Sequence, residues 1–230
     1  MFQMWIGGGE HFSFMNQPMA AMANFKMFCT ALVPLLAHDA NAVQGLGEIL
    51  EAMPETMSRE MNRMWAKKMG LAEFSEELFA ELHALMAETP VDYTIFWREL
   101  SSLPRHVAAL RPAFYETRGG YSKGSVAMEA RWAKWLQKWH AALEREGCPP
   151  AGVSEAMRRV NPKYIPREWM MVEAYRSATD TGDYSLVQRL HNVLEDPYGE
   201  QSEAVAALYY KKKDERFFDL GGTSHCSCSS

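Results

Sequence analysis

Trp132, Trp135 and Trp139 stand at steps of three and four residues, and Met128 and Leu143 continue the same stripe. That spacing lies on one face of an α-helix, whereas on a strand it would alternate between faces. Residues 126–146 therefore read as one long helix whose indole face is buried. Gly147 and Pro149-Pro150 stop it, since glycine suits a left-handed cap and proline cannot continue the hydrogen-bond ladder. Arg131, Lys134 and Lys138 interleave the tryptophans, a pattern that also suits base stacking. A buried face with snorkelling cations at its flanks explains the same residues without a ligand.

The rest of the chain is cut by proline and glycine into further helical pieces, and β-branched alternation is nowhere sustained, so strand signals are almost absent. The expected fold is all-α, an irregular multi-helix bundle. Asn16-Gln17-Pro18 opens a first helix, with Met22, Phe25, Phe28, Cys29 and Leu32 at helical spacing and a kink or stop at Pro34. A second helix covers residues 41–52. A third runs from Pro54 to Gly70 with Met57, Met61, Met64, Trp65 and Met69 on one side. Ser75 caps a fourth, striped by Phe79, Leu82, Leu85 and Met86, and Asp92 caps a fifth carrying Ile95, Phe96 and Leu100. Pro104 and Pro112 bracket a short turn of helix, and Tyr115 leads into a Gly-rich loop over 115–125. Ser154 opens a short helix. Further helices are expected over 166–178, with Trp169, Val172 and Tyr175 together, then over 184–194 and 200–212.

At 230 residues and 47% hydrophobic composition the chain can bury a real core. It reads as a single helical domain over 1–220 followed by a small polar tail over 221–230. A net charge of −5 gives no global basic field for nucleic acid or anionic lipid. The longest apolar patch, residues 28–37, is interrupted by Cys29, Thr30 and Pro34, and reads as too short to span a bilayer. Neither nucleic acid nor membrane is expected as a partner. The start of the chain carries no basic targeting region. Cys29, Cys148, Cys226 and Cys228 are too few for a disulfide framework in a chain this long. Most of the methionines fall before Leu71, where they serve as core filler or as an adaptable face for partner helices.

The least generic stretch is Arg158-Arg159-Val160-Asn161-Pro162-Lys163-Tyr164-Ile165-Pro166-Arg167. Asn161-Pro162 forces a break, because a residue before proline is pushed out of the α region. Pro166 then fits the first turn of the next helix. Arg158, Arg159, Lys163 and Arg167 make this a basic hinge. Its cations can bind helix C-terminal carbonyls and nearby carboxylates, or dock an anionic surface or ligand. No histidine pair has helical metal-site spacing, and no phosphate loop or nucleophile elbow is present. No catalytic, cofactor-binding or metal-ligating residue is assigned. The tail sequence His225-Cys226-Ser227-Cys228-Ser229-Ser230 makes Cys226 and Cys228 redox candidates, although an inert tail explains them as well.

The hinge, Met157 to Ile165 followed by Arg167, resembles the "M-x-x-V-N-P-x-Y-I-L-R-N" segment of the selenoprotein O family, with Pro166 and Glu168 as departures. Other blocks follow in the family's order. His11 to Pro18 is similar to "Y-x-Y-x-N-Q-P", and residues 32–36 match "L-x-P-L-L". Val91-Asp92-Tyr93-Thr94 with Phe96, Arg98 and Leu100 is similar to "D-Y-T-x-F-[FW]-R-x-L". Leu194 with Pro197, Tyr198, Glu200 and Gln201 resembles "L-x-x-P-Y-x-E-Q", and the ending Ser227-Cys228-Ser229-Ser230 matches "S-C-S-S". The resemblance implies a kinase-like protein adenylyltransferase that moves AMP from ATP, with magnesium, to protein hydroxyls. It also implies that the nucleotide and metal ligands precede Phe12, so this chain corresponds to the C-terminal helical portion and is inactive alone. Its expected partners are an N-terminal kinase-like core and protein substrates. The alternative is a free-standing helical interaction module or a thiol-redox module. The implied compartment is mitochondrial in a eukaryote and cytoplasmic in a bacterium.

Overall fold

The computed structural model describes residues 16–115 and 126–213. Among them the secondary structure is helical, apart from one isolated antiparallel bridge between Val91 and Phe114. The helices are α1 (Gln17–Leu36), α2 (Ala40–Met69), α3 (Glu76–Glu88), α4 (Tyr93–Leu100), a 3₁₀ helix (Val107–Ala113), α5 (Val126–Glu146), α6 (Pro150–Val160), α7 (Glu168–Thr181), α8 (Ser185–Glu195) and α9 (Glu203–Tyr209). The chain divides into two compact units, and the described residues fall into them as 16–64 and 65–213.

In the first unit, α1 runs through Pro34 to Leu36 as one 20-residue helix, where the sequence suggests a kink or stop. Met22, Phe25, Leu32 and Leu36 are half-buried around the buried Cys29, while Phe28 is exposed. Joined in this way, α1 is long and apolar enough to cross a membrane by length and composition, which the interrupted sequence run did not suggest. Asp39 starts α2 by accepting from the amides of Asn41 and Ala42 at 3.0 and 3.1 Å. The two helices expected on either side of Pro54 are one helix. The reason lies in its burial: Leu46, Leu50, Met53, Met57 and Met61 form one half-buried stripe that continues in register past the exposed Pro54. Tertiary burial outweighs the cost of about 3 kcal/mol of a proline inside a helix.

The second unit begins with the last residues of α2, where Trp65, Ala66 and Met69 are buried. Gly70 ends α2 at φ +72°. The amide of Leu71 donates to Ala66 O and that of Gly70 to Lys67 O, at 2.9 and 3.1 Å, the paired bonds of a Schellman cap. A Cβ at Gly70 would also lie 2.7 Å from Met157 Sδ and 2.8 Å from Val153 Cγ1, so glycine admits α6 to close approach. Ser75 and Asp92 cap α3 and α4 by accepting from Leu78 N and Ile95 N. The indole stripe of α5 is core: Trp132, Trp135 and Trp139 are at most 1% exposed. Their Nε1 atoms donate to Thr89 Oγ1, Leu78 O and Met69 O at 3.0, 2.9 and 2.8 Å. Successive turns of α5 are thereby clipped to both ends of α3 and to the end of α2. The flanking cations Arg131 and Lys138 bind Glu88 and Glu77 across the same contact.

Three helix starts differ from the sequence expectation, and α7 runs on to Thr181 while α9 ends at Tyr209. α6 begins at Pro150, with proline in its first turn, while Ser154 instead donates to Ser101 O at 2.7 Å. α7 begins at Glu168, so Pro166 precedes it, and its buried residues are Glu168, Trp169, Met170 and Ala174 rather than Val172 and Tyr175. Tyr175 is exposed. α9 starts at Glu203, capped by Ser202, three residues after its expected start. Most of the 115–125 loop and all of the 221–230 tail lie outside the described residues.

Candidate functional site

The basic hinge begins where Pro162 forces Asn161 into extended backbone, φ −107° and ψ 99°, and so ends α6. Beyond it, the amides of Lys163 and Tyr164 donate to Pro197 O at 2.8 and 3.1 Å. The hinge is therefore pinned to the 196–199 turn by its backbone. Asn161 is fully buried. Its amide nitrogen donates to Lys68 O and Ser101 Oγ, both at 3.0 Å, and its oxygen accepts from Lys68 Nζ at 2.8 Å. Lys68 also lies 5.2 Å from the centre of the Trp97 ring, and burial pulls its ammonium pKa down to about 8.

Arg98, in the last turn of α4, is the hub of the site. It is 5% exposed. Nη1 donates to Arg158 O and Asn161 O, each at 3.0 Å. These carbonyls lie at the C-terminal end of α6, where the dipole favours a cation. Nη2 donates to Tyr198 O at 3.0 Å and Glu200 Oε1 at 2.6 Å. Glu200 further accepts from Lys163 Nζ at 2.7 Å and Arg158 Nη1 at 3.4 Å. The Tyr164 hydroxyl donates to Glu200 O at 2.8 Å. Partial burial pushes the Glu200 carboxyl up, but hydrogen bonds from Lys163 and Arg98 outweigh it and hold the pKa at about 2.

Arg167, which directly precedes α7, forms a second, drier contact. Its two terminal nitrogens donate to Asp92 Oδ2 and Oδ1 at 2.6 and 2.8 Å. The side chains are 3% and 2% exposed. Asp92 simultaneously caps α4 through Ile95 N at 3.0 Å and accepts from the Tyr115 hydroxyl at 3.2 Å. Burial is the largest cause holding the Tyr115 hydroxyl well above the usual phenol pKa, and the Asp92 charge adds to it.

All four hinge cations thus meet carboxylates inside the second unit, three of them on another element: Arg158 and Lys163 at Glu200, and Arg167 at Asp92. Arg159 is exposed and pairs with Glu155 one turn earlier on α6. Chemically, the arrangement is a latch of ion pairs and capped carbonyls that ties α4, the hinge and the 196–200 turn together. Sequence reading of the hinge alone left its partners unnamed: Arg98, Asp92, Glu200 and Lys68. Their signal was positional, because Asp92 and Arg98 lie in one motif block and Glu200 in another. Among the described residues no group of three or more histidine, cysteine, aspartate or glutamate side chains could hold a metal ion. Cys226 and Cys228 lie outside the described residues, while Cys29 is buried and Cys148 exposed.

Glu200 gives the latch a pH signature. A carboxyl whose folded pKa is depressed contributes stability above its unfolded value near 4.3, and loses it as pH falls towards the folded pKa of about 2. Since Glu200 is half-exposed, the expected contribution is about 1 kcal/mol. Thermal unfolding of Glu200→Gln should show lower stability at pH 7 than the parent. That gap should close as both are taken from pH 5 to pH 2.5. A gap that is constant over this range would contradict the assignment.

Fold and site together define an all-α protein whose most connected polar residues brace its helices. The chain belongs to the family described as protein adenylyltransferase SelO, whose family model matches residues 7–195. It is 33% identical, over 97% of its length, to the protein nucleotidyltransferase YdiU of Aromatoleum aromaticum. It is also 33% identical over 96% of its length to the YdiU of Xanthomonas oryzae pv. oryzae, and 30% identical over 96% to that of Flavobacterium johnsoniae. In each case it covers 42% of the relative. The chain therefore spans less than half the length of these bacterial proteins.

Proposed function

We propose that this chain is the helical portion of a protein adenylyltransferase, and that a kinase-like portion outside it supplies the ATP and magnesium sites. The transfer itself would be an in-line displacement. A serine, threonine or tyrosine oxygen of a substrate protein bonds to the α-phosphorus of ATP, the bond to the β-phosphate bridging oxygen breaks, pyrophosphate leaves, and the hydroxyl proton passes to a base. The observation that carries this reading is the alignment: nearly the whole chain matches less than half of each relative. The site is consistent with it. The four hinge cations that the sequence offered for an anionic ligand already face carboxylates, Arg158 and Lys163 at Glu200, Arg167 at Asp92 and Arg159 at Glu155. These residues do not fit a nucleotide-metal complex. The bacterial relatives favour the cytoplasm among the implied compartments.

Calorimetric titration of the 230-residue chain with ATP and magnesium should give no binding heat. Micromolar binding would overturn the reading, and Arg158 and Lys163 would then be the first residues to replace. The positive arm is a chimera in which this chain replaces its matched segment in the Aromatoleum aromaticum relative. That chimera should transfer labelled AMP to protein where the chain alone does not.

A further inference from the structure

Helix α1 presents one row of residues at four-residue steps: Met19, Ala23, Met27, Ala31 and Leu35. Every member is exposed, with Met19, Met27 and Leu35 at 59%, 67% and 70%, and Phe28 beside them at 58%. The row carries no charge, and the one charged residue within α1 is Lys26. Large and small side chains alternate along it. Rows at four-residue spacing are the ridges that interlock between packed helices, and small residues between large ones leave grooves for a partner ridge. The opposite stripe, Met22, Phe25, Cys29, Leu32 and Leu36, is already buried or half-buried. The free ridge is therefore a second face of a helix whose first face is in use.

We infer that this ridge is the docking surface for a helix of the catalytic portion that the relatives carry beyond the segment matched here. The inference rests on the functional reading above. It commits to that occupant because this chain spans 42% of its relatives, leaving more than half of their length to pack against it. A contiguous exposed apolar row of this kind marks an interaction surface. A lipid bilayer fits less well, although α1 meets the length and composition of a span. Little of α1 is buried, but Met22, Phe25, Leu32 and Leu36 are half-buried around the buried Cys29, a partial protein cover on one stripe that a lipid-facing helix does not need.

The test compares Met27→Glu and Ala31→Gln in two settings. Both replacements keep a good helix former, so thermal unfolding of the 230-residue chain should not change. In the chimera with the remainder of the Aromatoleum aromaticum relative, each should lower the melting temperature by at least about 4 °C. An unchanged melting temperature in the chimera overturns the proposal. The chain alone gives an independent decision by sedimentation velocity and by flotation with phosphatidylethanolamine–phosphatidylglycerol vesicles. A monomer that stays off vesicles supports it. A dimer that Met27→Glu dissociates assigns the ridge to a second copy, and vesicle binding that Met27→Glu abolishes assigns it to lipid; either overturns it. Because these readouts are stability and association, a chimera that lacks AMP transfer but still responds to Met27→Glu would sink the functional reading and leave the docking surface standing.

Discussion

Asp92→Ala is expected to destabilise the second unit by about 3–5 kcal/mol, the cost of leaving a buried guanidinium without its carboxylate. The geometry places Asp92 where several demands meet. It holds both terminal nitrogens of Arg167, caps α4 through Ile95 N, and accepts from the Tyr115 hydroxyl. The charge pair dominates, since a cap alone contributes only about 1 kcal/mol. Two companions separate these roles. Arg167→Met leaves the carboxylate its cap and its tyrosine, so it should cost less than Asp92→Ala. The double variant Asp92→Ala/Arg167→Met should be more stable than the two single losses summed, because neither charge is then left uncompensated. Denaturant unfolding of the four proteins measures this coupling. Strict additivity would mean that Arg167 is solvated once Asp92 is gone, and the pair would not be a buried one.

How far the sequence announced this arrangement depends on the range of the physics involved. Local signals were sufficient for α3, α4 and α5. Ser75 and Asp92 cap where short polar side chains are expected to, and the tryptophan spacing bounded α5 at Val126–Glu146. Local signals misled at Pro54, where burial of the methionine stripe carries one helix past a proline. They misled again at Pro166: the backbone carbonyl of Arg167 accepts from Met170 N and Met171 N while its side chain reaches Asp92, so the helix starts later. The hinge was recognisable as unusual, but its meaning was not local. Arg98 lies 63 residues from Asn161 and 102 from Glu200, and no periodicity encodes such a meeting. The motif blocks came nearer, because Asp92, Arg98, the hinge and Glu200 belong to three of them and the fold brings these together. The structural reading of the hinge, cations on nearby carboxylates, holds; what neither it nor the blocks conveyed is that the carboxylates are Glu200 and Asp92.

The second large effect is expected at the other structural axis. Trp139→Ala should cost about 3–5 kcal/mol, the usual range for truncating a large aromatic in a core. Trp139 is fully buried and stacks on Trp135, with ring centroids 5.8 Å apart and planes 9° from parallel. Its indole nitrogen also donates to Met69 O at 2.8 Å. Met69 is the last residue of α2, so its carbonyl lacks a partner within the helix. Trp139→Phe isolates that bond: most of the ring remains, but the carbonyl loses its donor, for an expected cost of about 1–3 kcal/mol. Lys138→Ala on the neighbouring position removes half-exposed pairs with Glu77 and Glu81 on α3 and should cost the least of the three, because water screens such pairs. Guanidinium unfolding should rank the losses with Trp139→Ala largest, Trp139→Phe next and Lys138→Ala smallest. That order distinguishes an indole ladder from a charge zipper as what holds α5 to its neighbours, Trp139 reaching the end of α2 and Lys138 reaching α3. If Lys138→Ala proved the most damaging, surface ion pairs would hold these helices and the buried indole bonds would be incidental.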